Sequence, residues 1–126
     1  MKPCYELMIE TDFAAAHFLR GYDGDCARLH GHNWMVQLFV SCEKLDDIGL
    51  AVDYKILKRE LKAALKPWDH YHLNEVSPFD VINPSSENVA RALFETMSQR
   101  LNDERVHVSK IIIGETCTAR VCYSQS

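Results

Sequence analysis

The sequence has no long apolar run. No stretch approaches the roughly 18 apolar residues of a membrane helix, and the opening MKPCYELMIETDF has no apolar core of a secretory signal. Basic residues are not in excess either: 14 Lys and Arg face 18 Asp and Glu, a net charge of −4. That balance argues against nucleic acid as the main partner, because a phosphate backbone wants a basic face. It leaves room for a small anionic substrate held in a local basic pocket. The five cysteines, Cys4, Cys26, Cys42, Cys117 and Cys122, are odd in number and contain no CxxC pair. They are expected as free thiols of a reducing, cytoplasmic compartment, most of them buried as small hydrophobes. No repeat, low-complexity segment or linker divides the chain, so its 126 residues are expected to form one domain, 1–126.

With 47% hydrophobic residues, the chain can build a core. Tyr5 to Leu19 reads as a first strand, with Ile9, Thr11, Phe13, Ala15 and His17 on one side. GYDGD, Gly21 to Asp25, has loop chemistry. His32 to Glu43 is the clearest strand, placing Trp34, Val36, Leu38 and Val40 on one face and Asn33, Gln37 and Ser41 on the other. A helix follows, capped by Asp53, striped by Ile56, Leu57, Leu61, Ala64 and Leu65, and stopped by Pro67. WDHYHLNEVSPFDVINPSS is a long irregular connection of the kind that often carries function. A second helix starts near Ser85 or Ser86, with Ser86 as its expected cap and Val89, Ala90, Leu93, Phe94, Met97 and Leu101 as its buried face. Strands Val106 to Gly114 and Cys117 to Tyr123 close the chain. The order β-β-α-α-β-β predicts an α+β domain, a four-stranded antiparallel sheet with two helices on one face. No residues remain to cover the other face, which predicts oligomerisation.

Chemistry concentrates in CARLHGHNW, Cys26 to Trp34. If the strand begins by residue 30, His30 and His32 project from one face. Hairpin pairing could bring His17, at the end of the first strand, beside them. Three histidines with an open position are the ligand pattern of a catalytic zinc site. Gly31 permits bending or close approach. Cys26 could be a fourth ligand, a base or nucleophile, or an incidental loop residue. Asp69 and His70 suit general acid–base work if the carboxylate orients the imidazole, and a polar turn if it does not. His72 is a second candidate there. Glu115 ends the apolar strand KIIIG, so it is either paired or used. A carboxylate can accept two hydrogen bonds from an N–H beside an NH2, as in a guanine or pterin ring.

Six pieces taken together, FAAAH, CARLHGH, GLAVDY, WDHYHLN, NPSSEN and GET, resemble the 6-pyruvoyl-tetrahydropterin synthase family. The CxxxHGH spacing is similar to its carboxy-forming branch, the bacterial 6-carboxy-tetrahydropterin synthases of queuosine biosynthesis. The resemblance implies a tunnelling fold, with subunits forming a trimeric barrel and two trimers stacking into a homohexamer. It implies zinc on His17, His30 and His32, Cys26 as general base, and Asp69 and His70 as a relay pair. Glu115 would anchor the pterin and is often grouped with the relay. Ser85 and Ser86 would lie near the ring, where the family commonly has threonines. The substrate would be 7,8-dihydroneopterin triphosphate. Trp34, where a smaller aromatic is more usual, is a second departure. Arg28 is singled out for the triphosphate only by its place between Cys26 and His30.

Overall fold

A computed structural model describes residues 2–125. In chain order it contains strand β1 (Tyr5–His17), strand β2 (His30–Cys42), helix α1 (Tyr54–Leu65), strand β3 (Tyr71–His72), helix α2 (Ser86–Leu101), strand β4 (Val106–Thr116) and strand β5 (Ala119–Ser124). Single 3-10 turns form at Asp25–Ala27 and Leu73–Glu75. The architecture is α+β, as expected. The sheet, however, has five strands rather than four, in the order β3-β1-β2-β4-β5. The additional strand, β3, is two residues long and pairs parallel with β1 at Ala15 and Ala16. So short a strand has no periodicity to read. It forms because His70, at φ 67°, turns the backbone so that its N–H meets the Ala14 carbonyl.

The hairpin of β1 and β2 runs in one unbroken register from Tyr5↔Cys42 to His17↔His30. Alternation then sends Ile9, Phe13 and Ala15 of β1 and Trp34, Val36, Leu38 and Val40 of β2 into the core. The helices close over this same face, α2 on β4 and β5, and α1 on α2 and β1. Leu57 and Leu61 of α1 and Val89, Leu93 and Met97 of α2 are buried there. The other face carries partly exposed groups, among them Glu6, Met8, Glu10 and Gln37.

β4 reaches the core through an irregularity. Val40 pairs with Val108 and Phe39 with Lys110, so Ser109 has no opposite residue on β2. One extra residue reverses the alternation. Val106 and Val108 face the core before it, and Ile111 and Ile113 after it. Without the bulge Lys110 would share the face of Val106 and Val108.

Several boundaries differ from expectation. β1 stops at His17, since Phe18 and Arg20 take side-chain partners instead of strand partners. β2 starts at His30, and β5 covers Ala119–Ser124, leaving Cys117 in the turn before it. The cap of α2 is Ser85, whose hydroxyl accepts from Asn88 N at 3.2 Å. Ile56 is exposed rather than part of the buried stripe, while Asp53 caps α1 as expected. Only Cys42 is buried; Cys4, Cys26, Cys117 and Cys122 are exposed. Their segments are a chain end, a loop, a turn and an edge strand, which the helices do not cover.

Deletion of Ser109 is expected to preserve the native fold. Val108, Lys110 and Ile111 would then be consecutive opposite Val40, Phe39 and Leu38, so Ile111 and Ile113 stay inward and keep their burial, worth about 1.5–3 kcal/mol each. Circular dichroism with thermal melting checks this, and loss of the cooperative transition in the deletion variant would contradict it.

Candidate metal centre

The inner faces of three strands end in polar groups at one place. Phe13 and Ala15 lead to His17 on β1, and Trp34 leads back to His32 and His30 on β2. On β4, Ile111 and Ile113 lead to Glu115. The cross-strand pair His17↔His30 brings two imidazoles together, and His32 shares the face of His30 by period two. One potential ligand atom from each of His17, His30 and His32 lies within 4.8 Å of the other two. The ring centroids are 4.5 Å apart for His17–His30, 5.2 Å for His17–His32 and 4.8 Å for His30–His32.

The tautomers are set from outside the cluster. His17 Nδ1 lies 2.7 Å from the Pro84 carbonyl, and His30 Nδ1 lies 2.7 Å from the Arg28 carbonyl. A carbonyl only accepts, so each Nδ1 carries the proton and each Nε2 keeps its lone pair. This is the backing that metal-ligating histidines use. The Nε2 atoms of His17 and His32 are buried without a hydrogen-bond partner, a costly state for a group with nothing to bind. Burial also pushes the pKa of His17 and of His32 below the ordinary imidazole value, against the raising influence of Glu115. Neutral imidazoles with inward-facing lone pairs fit a divalent cation such as Zn2+.

Trp34 forms the floor. It is fully buried, its ring stands edge-on to His17 and His32, and it stacks on Phe13 at 5.7 Å. Its indole N–H donates to the Ala15 carbonyl at 3.2 Å. The larger aromatic thus supplies both apolar surface and a hydrogen bond beneath the histidines.

Glu115 faces the cluster, with Oε1 3.7 Å from His17 Nε2 and Oε2 4.0 Å from His32 Nε2. The Ser109 bulge puts it on this face. A second irregularity isolates it from β5: Gly114 pairs with Arg120 and Thr116 with Ala119, leaving Glu115 unpaired between them. Beside it a cleft of about 260 Å³ is lined by Ser86, Glu87, Glu115, Ala119, Arg120 and Val121. Ser85 adjoins through Pro84, the partner of His17. A larger cleft of about 330 Å³, bordered by Tyr5, Leu45 and Tyr54, lies at the far end of β1 with none of this chemistry.

Other expected site residues stand apart within one chain. Cys26 is exposed in its 3-10 turn, and the cluster of potential ligand atoms among the described residues does not include its thiol. Asp69 and His70 do form a pair, with Oδ1 3.0 Å from Nδ1. They lie on the outer edge of β1, where Asp69 Oδ1 also accepts from Ala14 N at 3.0 Å. His72 contacts Glu75 at 3.5 Å and lies near the Phe18 ring. Arg28 contributes its backbone carbonyl to His30, and the residue is exposed.

Spacing gave no hint of the residues that hold His17 in place. Asn74 accepts from Phe18 N at 2.9 Å and donates to Phe18 O at 3.0 Å; Asn83 does the same for Arg20 at 2.8 and 3.0 Å. Each amide imitates a neighbouring strand. The Arg20 guanidinium returns the contact, donating to the carbonyls of Asn74, Phe79 and Ile82. Asn88 in turn donates to the Asn83 carbonyl at 2.9 Å. The long connection is therefore laced to residues 14–20, and the Pro84 carbonyl is delivered to His17.

Fold and cluster together define a three-histidine candidate metal protein built on one sheet. Comparison places it further. The family model described as 6-pyruvoyl tetrahydropterin synthase matches residues 6–126, and the chain belongs to that family. A Synechocystis sp. protein named 6-carboxy-5,6,7,8-tetrahydropterin synthase is 31% identical over 119 residues, covering 90% of this chain and 88% of its own. A Bacillus subtilis protein of the same name is 29% identical, covering 94% and 84%. The structure of Caenorhabditis elegans 6-pyruvoyl tetrahydropterin synthase superimposes with a TM-score of 0.87 at 26% identity, covering 99% of this chain and 98% of that one.

Two outcomes are expected. The folded chain holds His17 and His32 neutral, while the unfolded chain protonates them below about pH 6.5. The unfolded state then binds more protons, so the metal-free protein loses stability as pH falls from that value through the lowered folded pKa values. A divalent cation offered to the cluster would meet proton competition in the same window, so its affinity is expected to fall too. Melting curves with and without zinc across about pH 8 to 5 check both; a flat profile would contradict them. Separately, Asn74→Ala should cost about 1–3 kcal/mol in urea denaturation by stranding the Phe18 backbone. It should also weaken zinc binding, although Asn74 is no ligand.

Proposed function

We propose that this chain is a zinc-dependent, pterin-forming enzyme that acts on 7,8-dihydroneopterin triphosphate. Its products are 6-carboxy-5,6,7,8-tetrahydropterin, acetaldehyde and triphosphate, and it serves queuosine synthesis in the cytoplasm. Residues 1–126 act as one domain, assembled as a homohexamer of two stacked trimers whose barrel covers the open sheet face. The observation that carries the reading is the buried, partnerless Nε2 pair of His17 and His32 facing Glu115.

His17, His30 and His32 would hold the zinc, which would supply a Lewis acid for the side-chain oxygens of the substrate. Trp34 excludes water from below. Glu115 accepts the paired N–H groups of the pterin, and Ser85 and Ser86 lie along the ring. Cys26 takes a proton from the substrate side chain as thiolate, and His70, oriented by Asp69, returns one. Within one chain Cys26 and the Asp69–His70 pair lie outside the histidine cluster, which suits a site completed on assembly.

The curated relatives named above favour the carboxy product, as does the three-residue gap between Cys26 and His30. The second reading, 6-pyruvoyl-tetrahydropterin, takes its support from the name of the Caenorhabditis elegans relative. A third, a zinc- or pterin-holding module without turnover, leaves Cys26, Asp69 and His70 without a task.

Incubation of the zinc-loaded protein with 7,8-dihydroneopterin triphosphate, followed by mass spectrometry, is expected to yield the carboxy product and acetaldehyde. A pyruvoyl product would select the second reading. Cys26→Ala should lower turnover by about 100-fold or more with zinc content unchanged; loss of zinc would make Cys26 a ligand instead of the base.

A further inference from the structure

Glu115 and two of the histidines meet acceptor to acceptor. His17 Nδ1 donates to the Pro84 carbonyl, so the neutral ring keeps a lone pair at Nε2. An ionised carboxylate presents only lone pairs. Yet Glu115 Oε1 stands 3.7 Å from His17 Nε2, and Oε2 stands 4.0 Å from His32 Nε2. Neither Nε2 has a hydrogen-bond partner. Acceptors this close repel one another, and a positive centre between them turns the repulsion into attraction.

The distances select the kind of centre. A shared proton draws its two heavy atoms to about 2.7–3.2 Å, short of both values. A shared zinc ion sits about 2.0–2.2 Å from each nitrogen and oxygen. It holds them about 3.4 Å apart at the tetrahedral angle and up to about 4.2 Å as the angle opens. Both observed separations lie in that second range. The carboxylate therefore stands within reach of a metal held by the histidines.

Glu115 also borders the cleft of about 260 Å³, which it lines with Ser86 and Glu87. It has no opposite residue on β5, since Gly114 pairs with Arg120 and Thr116 with Ala119. The same carboxylate thus has two addresses, the histidines and the cleft. We propose that Glu115 is the fourth ligand of the metal in the substrate-free protein and leaves it to bind the pterin in the cleft. This rests on the zinc and pterin reading above and adds a regulation of the same site. Before the pterin arrives, three imidazoles and one carboxylate make the closed set of a structural zinc site, with no position left for water. Recognition of the ring withdraws the carboxylate, and the position it vacates is left for the side-chain oxygens of the substrate.

The test loads the purified protein with Co2+ in place of zinc and follows its visible spectrum, with azide and pterin as probes. Azide ligates an open position and changes the spectrum. Wild type without pterin is expected to give no response to azide, and wild type with bound pterin is expected to give one. Glu115→Gln should respond without pterin, and its zinc affinity, measured by chelator competition, should fall by at least about 10-fold. Glu115→Asp keeps the negative charge but is one methylene too short to reach, so it should respond as well. Melting curves of both variants report folding. An azide response in wild type without pterin, or a silent Glu115→Asp, overturns the assignment. Wild type that stays silent to azide with pterin bound overturns the release. Pterin binding itself is followed by fluorescence. If wild type binds no pterin, the pterin reading fails and the release with it, while the azide responses of the three pterin-free proteins still decide the ligand role.

Discussion

The hairpin register of β1 on β2 is the constraint on which the rest depends. It runs without interruption from Tyr5↔Cys42 to His17↔His30, and side chains alternate with a period of two. The same alternation that buries Phe13, Trp34 and Leu38 therefore delivers His17, His30 and His32 to one spot. A slip of one residue would turn both the core and the three histidines to solvent. Packing and chemistry share a single specification, so no hydrophobic alternative keeps the core while losing the cluster.

β4 joins this arrangement on different terms. Its face is set by the unpaired Ser109, which reverses the alternation between Val108 and Ile111. Glu115 then arrives on the inner face as the last member of the series Ile111, Ile113, Glu115. The second unpaired position, at Glu115 itself, separates it from β5 and lets Arg120 settle against Gly114. Two local irregularities thus connect an edge strand to the three-histidine cluster.

The histidines were legible because they obey the simplest rule available, alternation along a long strand, with the apolar series Trp34, Val36, Leu38 and Val40 fixing which side is inner. Asp53 as a cap and the buried face of α2 were legible for the same kind of local reason. What was not legible depends on partners distant in sequence. A two-residue strand at Tyr71–His72 exists only because β1 is beside it. Asn74 and Asn83 sit inside recognisable motifs, yet nothing local says that their amides bracket Phe18 and Arg20. The Ser109 bulge is invisible because VHVSKIII reads equally well as an uninterrupted strand. Cys117 and Cys122 are chemically like Cys42; only their place on a turn and an edge strand leaves them exposed.

The lacing of the long connection has one more consequence, for the border of the sheet. Among the described residues, β1 has a strand partner on its outer side only at Ala15 and Ala16, and from Ala14 onward the backbone is also engaged by Asp69, His70, Asn74 and Asn83. Between Tyr5 and Phe13 that border keeps its outward N–H and C=O groups available. A strand from another copy that docks there can slide only until it abuts Asp69 and His70. The connection would therefore act as a doorstop to any strand added at this border, with the Asp69–His70 pair the first thing the end of that strand meets.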